Sequence, residues 1–399
     1  MADNNRVIAN PPIGIYDNPD INIGQAYYHV ILDLIARYKT KFNGDVVKFP
    51  SFSFNVFGKK SERLITKDVN KSDFYKTAEE NAFEIVCNPS YRSKLNLISE
   101  ERLVDNEKLI VVGVSNDFKR LYDLGFIAVK GPHAYLNCAV IRKKCGLLEK
   151  LEEIEIYPSR IKEEMNRMIE NNTNDLVKIS RSTIFSPSSP INTENIGPLF
   201  TLANLWDHKY PNSKITMAGS NNAVSRYIFL RFLSRSALED NPGMDEIFIW
   251  PRLIVTGNNN KWDLEKLTED PIQTDIFRHA VISSHSNNSQ KIYVDASRLA
   301  GSRNFIYLVA NIRRVLNVKV AGLVGDNEFS IAYQKDMEKF KFSKILQSIK
   351  NKMTELSKEI NIYKRDNLEV TKLSSNYAQL IEMLEPFIPA TVKLIKEER

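Results

Sequence analysis

Hydrophobic positions near the start of the chain change from a continuous run to a helical spacing. Residues 7–15 are mostly apolar and end in turn residues, which predicts a buried strand. Apolar side chains then recur at helical spacing over about 24–41, and Asn43-Gly44 ends that predicted helix. A short strand is predicted over 45–50. The order strand, helix, strand predicts a right-handed parallel unit, whose ligand would lie at the carboxyl ends of the strands.

The remainder of the chain divides into a charged segment, a second α/β block and a helical end. Residues 62–178 are of mixed character, and a second α/β block covers about 179–290. Beyond about 294 the pattern is almost entirely helical. These patterns predict an α/β nucleotide-site fold that is split by an insertion and followed by a helical bundle. Within these segments we predict a strand at 108–114 and helices at 117–124, most of 147–171, 222–238, 304–316, 333–360 and 373–384.

Composition narrows the class of protein. The 399 residues carry a net charge of +6, which is compatible with an anionic polymer as partner. No apolar run reaches the length of a membrane span, and the polar first residues do not resemble a secretory signal. Three cysteines in so long a chain do not form a disulfide framework, so we expect a cytoplasmic protein. Cys138 and Cys145 lack a Cys-x-x-Cys partner element, so no metal site is predicted.

Separated segments resemble the leucine, isoleucine and valine group of class I aminoacyl-tRNA synthetases, in that group's own order. The N-terminal segment 16–26 is similar to Pro-Tyr-x-x-Gly-x-Leu-His-x-Gly-His, and 33–39 to the following Asp-x-x-Ala-Arg-Tyr-Lys. Residues 49–62 resemble the leucyl form Phe-Pro…Asp-Ala-Phe-Gly-Leu-Pro-Ala-Glu. The Phe57-Gly58 pair favours the leucyl type, because the other two usually have His-Gly there.

Later segments continue the resemblance to about residue 390. Leu121–Phe126 with 136–138 is similar to Leu-Tyr-Glu-Lys-Gly-Leu and Asn-Trp-Cys, and 179–190 to Ile-Ser-Arg-Gln-Arg-Tyr-Trp-Gly-x-Pro-Ile-Pro. Residues 218–232 follow the leucyl Gly-Gly-x-Glu-His-Ala-x-x-His-Leu-x-Tyr-x-Arg-Phe with the same spacing. Two further segments resemble the family more weakly. Residues 274–278 are similar to its Ala-Asp-Ala-Leu-Arg, and residues 384–389 are similar to its Leu-x-Pro-Phe-x-Pro.

The resemblance implies a division of the chain and a set of ligands. Residues 1–61 and 179–292 would form a split Rossmann-like catalytic core, 62–178 a short connective insertion without a complete editing domain, and 293–399 a bundle like the anticodon-binding helices. ATP with Mg would be the cofactor, and tRNA or a partner synthetase the partner, with neither DNA nor a membrane expected. The implied nucleotide-binding residues are Asn22, Gly24, Gln25, Gly219, Asn221 and Arg226, and the implied amino-acid pocket is Tyr16, Asn55 and Asn222.

The resembling segments depart from the family where its ATP chemistry lies. Asn22 and Gln25 replace the two histidines that bind the phosphates, so neutral donors stand where cations act in relatives. Asn55 replaces the aspartate that holds the amino group of the amino acid. In the lysine loop only Lys261 and, with a shifted loop, Lys266 remain to contact phosphates. The departures predict a scaffold whose adenylation activity is lost or much weakened.

Two alternatives remain open from the sequence. The chain could be an active, divergent ligase for leucine or a similar aliphatic amino acid, with Asn22, Gln25, Lys261 and Lys266 as its catalytic residues. It could also be a structural subunit that keeps the fold for protein contacts. Ser180 has no histidine and acid beside it in the sequence, so no nucleophile is predicted there.

The helical end carries basic residues interleaved with aromatic ones. Such a face suits phosphate contacts with tRNA, although acidic residues among them also fit an ordinary solvated helix surface. The tRNA-binding residues predicted there are Lys339, Lys341, Lys344, Lys350 and Arg365.

Overall fold

The structure is a computed structural model. It describes residues 5–9, 23–48, 51–53, 102–104, 108–171, 175–182, 187–220, 224–239, 241, 243–256, 264–285, 290–316, 328–366 and 371–397. Within these ranges the backbone alone is described for residues 25, 51–53, 102–104, 108, 225–226, 363–366 and 371–372.

Strands and helices alternate along the first two thirds of the chain, and helices alone follow. The strands are β1 (Asn5–Ala9), β2 (Val46–Lys48), β3 (Ser51–Ser53), β4 (Arg102–Val104), β5 (Ile127–Lys130), β6 (His133–Asn137), β7 (Glu155–Tyr157), β8 (Leu176–Lys178), β9 (Lys214–Ser220), β10 (Glu246–Trp250), β11 (Arg252–Val255) and β12 (Lys291–Val294). The helices are α1 (Ile23–Asn43), α2 (Lys108–Asp123), α3 (Cys138–Lys144), α4 (Leu147–Glu152), α5 (Ser159–Glu170), α6 (Pro198–Lys209), α7 (Phe229–Leu238), α8 (Leu264–Leu267), α9 (Pro271–Ser283), α10 (Ala296–Leu316), α11 (Glu328–Glu338), α12 (Phe342–Asp366), α13 (Thr371–Leu384) and α14 (Pro389–Glu397).

The chain forms two compact units. The first contains residues 1–20, 44–88 and 99–250, and the second contains 21–43, 89–98 and 251–399. No helix of the described residues combines the length and the apolar character needed to cross a bilayer. The division predicted from the resemblance, with its boundaries at 61, 178 and 292, stays a prediction.

The first unit is built on a parallel sheet with strand order β2-β1-β9-β10-β7. Every residue of β10 is buried, as are the last four of β1, which is typical of a parallel sheet covered on both faces. Helices α2, α6 and α7 pack together, and the rings of Phe118 and Phe200 meet edge to face with centroids 5.4 Å apart. The core therefore lies between the mostly apolar central strands and the inner faces of these helices.

A buried ion pair joins the strands of this sheet. The Arg6 guanidinium on β1 donates to Asp45 Oδ2 at 2.6 Å and to Thr216 Oγ1 at 2.9 Å. Thr216 in turn donates to Glu246 Oε2 at 2.8 Å. Side chains of β9 and β10 and of the residue before β2 thus surround the Arg6 guanidinium with two carboxylates and a hydroxyl, and a buried cation requires such partners.

The segment predicted as an insertion contributes to three sheets. Strand β4 pairs in parallel with β3, strands β5, β6 and β8 form a small antiparallel sheet, and β7 pairs with β10 at the edge of the parallel sheet. Residues 147–171 are mostly helical, as predicted, but β7 interrupts the helices. The insertion is therefore joined to the main sheet through backbone hydrogen bonds.

The second unit combines α1, the parallel pair β11–β12 and the C-terminal helices. Helix α9 packs against α10, α12 and α14, and α12 packs against α13. The prediction of a parallel α/β fold followed by helices is confirmed, and α1 was predicted to within about two residues at each end.

Two secondary-structure predictions were wrong in detail. Residues 108–114 were predicted as a strand because they are rich in Val and Ile, but they form the first half of α2. Ile110, Val114, Phe118 and Leu121 are all fully buried at helical spacing, so packing overrode the strand propensity of the β-branched residues.

The helix predicted over 333–360 is two helices, α11 and α12. The break falls at Phe340, which has a left-handed φ of 52° and whose buried ring packs edge to face on Phe342. The Lys341 amide donates to the Asp336 carbonyl at 2.9 Å and closes the end of α11. Burial of two adjacent rings compensates for a backbone conformation that a side chain disfavours.

Candidate functional site

The strand order of the parallel sheet reverses direction between β1 and β9. The chain passes from β1 to β2 on one side, and β9 pairs with β1 on the other, with Ala9 opposite Met217. In open parallel sheets ligands bind outside the carboxyl ends of the strands at such a reversal. Residues 10–22 follow β1 and residues 221–223 follow β9, and both segments lie outside the described residues.

A turn of π-helix holds the backbone at the carboxyl end of β9. The turn covers Val224–Ile228, and the hydroxyl of Tyr227 donates to the Ala218 carbonyl at 2.7 Å. Burial raises the pKa of Tyr227 well above its ordinary value, so the phenol stays a donor. Gly219, one residue further along β9, is buried. π-Helical turns frequently accompany functional sites, and this one fixes the end of β9 beside the reversal of strand order.

Near its end, the resembling segment 218–232 contains Arg231, which connects helices α6 and α7. The Arg231 guanidinium on α7 is fully buried and donates to both carboxylate oxygens of Asp207, at 2.8 and 2.9 Å, and to the Ala203 carbonyl at 2.7 Å. Burial acts to raise the pKa of Asp207, but the charge and hydrogen bonds of Arg231 outweigh it and lower that pKa. Arg231 thus fixes α7 on α6, and through α7 the turn beside β9.

Ser180, His133 and Glu194 lie close together in the structure, although they are separated in the sequence. Glu194 Oε2 accepts a hydrogen bond from Ser180 Oγ at 3.2 Å and lies 2.8 Å from His133 Nδ1. Lys178 Nζ lies 3.0 Å from the same oxygen. The carboxylate stands between the serine and the histidine, so the histidine is not placed to take the serine's proton. The cluster joins β6, β8 and the segment before α6.

Three resembling segments meet inside the second unit. Arg278 of α9 donates to Asp33 Oδ2 of α1 at 2.7 Å, with both side chains fully buried. The same guanidinium donates to the carbonyls of Pro386 and Phe387, at 3.0 and 3.2 Å. Asp275 accepts from the Thr391 amide at 2.6 Å. One buried network of hydrogen bonds therefore connects the segments 33–39, 274–278 and 384–389 with the start of α14. The sequence did not reveal this network.

Most residues predicted for the nucleotide and amino-acid sites fall outside what the structure describes. That holds for Tyr16, Asn22, Asn55, Asn221, Asn222 and Lys261, and only the backbone is described for Gln25, Arg226 and Arg365. Gly24 lies in the first turn of α1, and Lys266 is exposed on the short helix α8. The predicted tRNA contacts Lys339, Lys341, Lys344 and Lys350 are exposed.

The described residues show no grouping of three or more His, Cys, Asp or Glu side chains that could hold a metal ion. Cys138 is buried, and burial raises the pKa of its thiol to about 11. The thiol is therefore protonated near neutral pH, whereas metal binding requires the thiolate.

Comparison with known proteins assigns the fold. No protein-family model matches this sequence, and no match is found among curated proteins. A solved structure of Mycobacterium tuberculosis methionyl-tRNA synthetase bound by methionyl-adenylate matches with a TM-score of 0.71 and 12% identity, covering 98% of this chain and 93% of that one. The fold is that of a class I aminoacyl-tRNA synthetase.

A second structure of the same Mycobacterium tuberculosis enzyme, also in complex with methionyl-adenylate, gives a TM-score of 0.69 at 12% identity, with 98% and 92% of the two chains covered. The match extends over nearly the whole of both chains, so the sheet and the C-terminal helices are shared. At this identity the likeness concerns the fold alone, and the leucyl character of the sequence segments stays a prediction.

Proposed function

We propose that this chain is a class I synthetase-like protein that binds tRNA and has lost, or nearly lost, the ability to form an aminoacyl adenylate. The observation that carries the proposal is the contrast between the complete synthetase fold and the side chains expected at its ATP site. The fold matches over 98% of the chain, whereas Asn22 and Gln25 stand where relatives have histidines.

The chemistry of these substitutions explains the expected loss. An amide donates only a neutral hydrogen bond, which is roughly half as strong as a charge-assisted one. Removing one donor to a developing charge typically costs about 100- to 1,000-fold in rate. Asn55 also removes the carboxylate that would pair with the ammonium group of an amino acid, so both substrates lose an opposite charge.

ATP with Mg fits this donor set poorly as a reacting ligand, although a nucleotide could still bind. The reversal of strand order between β1 and β9, near which the buried Gly219 lies, supports nucleotide binding, because open parallel sheets bind ligands at such a reversal. Lys261 and Lys266 are the cations of the lysine-loop region that would contact phosphates. If the shifted loop brings Lys266 to the phosphates, the alternative of an active ligase for an aliphatic amino acid holds instead.

Binding of tRNA by the full-length protein tests the partner named here. We expect binding that weakens steeply with salt, because phosphate contacts release counterions. A duplex DNA of similar length serves as the control, since the proposal predicts weaker binding to it at the same salt. Absence of tRNA binding at low salt, with the protein folded by circular dichroism, would instead favour the structural subunit or a partner synthetase.

A further inference from the structure

Strand β12 forms one edge of the small parallel sheet in the second unit. In the part of the chain that the structure describes, β12 pairs with β11 and with no other strand. The carbonyls of Gln290 and Val294 accept hydrogen bonds from amides of β11 and of the residue that follows it, at 3.0 and 3.1 Å. Because backbone groups alternate in direction along a strand, those of Lys291 and Tyr293 point away from β11. A further strand could therefore pair with β12 at this edge.

The side chains of β12 divide between a buried face and an exposed face. Ile292 and Val294 are buried, whereas Lys291 and Tyr293 are exposed, with 57% of Tyr293 accessible. Because side chains alternate along an extended chain, Asp295 continues the row that Lys291 and Tyr293 begin. The exposed row thus carries a cation at one end, an aromatic ring in the middle and an anion at the other end.

Asp295 keeps its negative charge at the end of this row. Its Oδ1 accepts hydrogen bonds from Ser297 Oγ at 2.7 Å and from the Arg298 amide at 2.9 Å, as a residue that caps α10 does. The hydrogen bond from the Ser297 side chain, and after it the one from the Arg298 amide, lower the pKa of Asp295. Each carboxylate oxygen can accept more than one hydrogen bond, so a lysine could still contact this group.

The order of the charges selects one way of pairing this edge with a copy of itself. In an antiparallel pair centred on Tyr293, Lys291 of each copy lies opposite Asp295 of the other. Centring the pair on Lys291 would place two like charges together, and centring it on Ile292 or Val294 would place neither charge opposite its counterpart. A lysine on a short edge strand ordinarily disfavours strand pairing, and Asp295 offsets that effect in the register centred on Tyr293.

We propose that β12 pairs with β12 of a second copy of this chain, antiparallel and centred on Tyr293. The two small sheets would become one four-stranded sheet, with a two-fold axis between the tyrosine rings. On the other face, Ile292 of one copy lies opposite Val294 of the other, so the apolar sides of the two strands adjoin. A contact of this size is small, and we expect weak, reversible association in the micromolar range. Neither tRNA binding nor adenylation is needed for this contact.

Sedimentation velocity of the full-length protein over a range of micromolar concentrations tests this pairing. Lys291→Glu places a glutamate opposite each aspartate, and Asp295→Lys places a lysine opposite each lysine. We expect either variant to self-associate about tenfold more weakly than the wild type, because both opposite-charge pairs become like-charge pairs. An equimolar mixture of the two variants restores two opposite-charge pairs, so the mixture should associate about as tightly as the wild type.

Two further variants separate the pairing from effects on folding. Asp295→Asn keeps the cap of α10 but removes the charge, and it should weaken association by less than Asp295→Lys does. Lys352→Glu reverses an exposed charge on α12 and should leave association unchanged, while circular dichroism checks that each variant is folded. Amide exchange in β12 should also slow as the wild-type concentration rises. A monomeric wild type, single variants that associate like the wild type, or a mixture that stays monomeric would each overturn this pairing.

Discussion

Asp33 and Arg278 show at the scale of single residues why some family-like positions persist in this chain. Their charges are fully buried, and the Arg278 guanidinium also donates to the Pro386 and Phe387 carbonyls. Burial lowers the pKa of Arg278, and the Asp33 charge acts against that shift. These residues hold the second unit together, so their presence says nothing about catalysis.

Replacing Asp33 should therefore unfold the second unit more easily. In Asp33→Asn the Arg278 charge stays buried without its counterion, and we expect a loss of about 3–5 kcal/mol in the free energy of unfolding. Urea denaturation followed by circular dichroism measures it. The control is Glu355→Gln, which breaks the exposed pair with Lys352 and should cost less than about 1 kcal/mol. Equal losses in the two variants would contradict the structural role given to Asp33.

Two helical glycines make a matched pair for testing the packing of the helices. A Cβ at Gly113 of α2 would lie 2.2 Å from Cγ of the His208 ring, whereas one at Gly301 of α10 would meet nothing within 4 Å. We expect Gly113→Ala to destabilise by about 1–3 kcal/mol through overpacking. Gly301→Ala should stabilise by about 0.5–1 kcal/mol, because alanine favours the helix. Thermal melts of both variants decide this, and the same sign of change in the two would refute the α2–α6 contact.

Helix α9 shows how elements of the bundle depend on neutral buried side chains. Its His279 ring stacks on Phe305 of α10 with centroids 4.6 Å apart, and Nδ1 lies 2.9 Å from Ser302 Oγ. Burial first, and the charge of Lys350 second, lower the pKa of His279 to about 3. Burial also lowers the pKa of His285, in the residues after α9, to about 3. Packing of α9 against α10 therefore requires an uncharged His279 imidazole, and the contact of His285 with Phe342 of α12 likewise involves a neutral ring.

This packing predicts a loss of stability in acid. The unfolded histidine titrates near 6.5 and the folded one near 3, so the stabilisation is complete above pH 6.5 and is lost as pH falls towards 3. Below about pH 5.5, His279→Phe should reduce the pH slope of the unfolding free energy by roughly 1.4 kcal/mol per pH unit, since one proton uptake is removed. Denaturant titrations at several pH values measure the slope. An unchanged slope would mean that His279 is not buried as a neutral ring.

The sequence predicted the periodic elements well and the polar contacts poorly. Helix α1 was predictable because its apolar spacing agrees with its propensity, whereas α2 was mistaken for a strand because its first residues are β-branched. Positions such as Asp33 and Arg278 lie 245 residues apart, and only the folded chain brings them together. The candidate ATP site was predicted from motif order and stays a prediction, because most of its residues lie outside the part of the chain that the structure describes.

At the scale of the whole molecule, a synthetase fold extends over nearly the entire chain, while we propose that amides occupy most positions at which an ATP site of this fold would carry cations. The parallel sheet, its reversal between β1 and β9 and the C-terminal helices persist as structure. The fold and the chemistry depend on different residues. Apolar strands and buried ion pairs maintain the fold, whereas a few hydrogen-bond donors at loop positions determine the chemistry. A scaffold of this kind can retain RNA binding after its reaction is lost.

Amino-acid-dependent exchange of pyrophosphate into ATP is the most direct test of that account. We expect the purified full-length protein to show no exchange above background with leucine, methionine or any other amino acid, in a preparation that binds tRNA and melts cooperatively. Robust exchange with any one amino acid, abolished by the double variant Lys261→Ala and Lys266→Ala, would contradict the account and identify the chain as an active ligase.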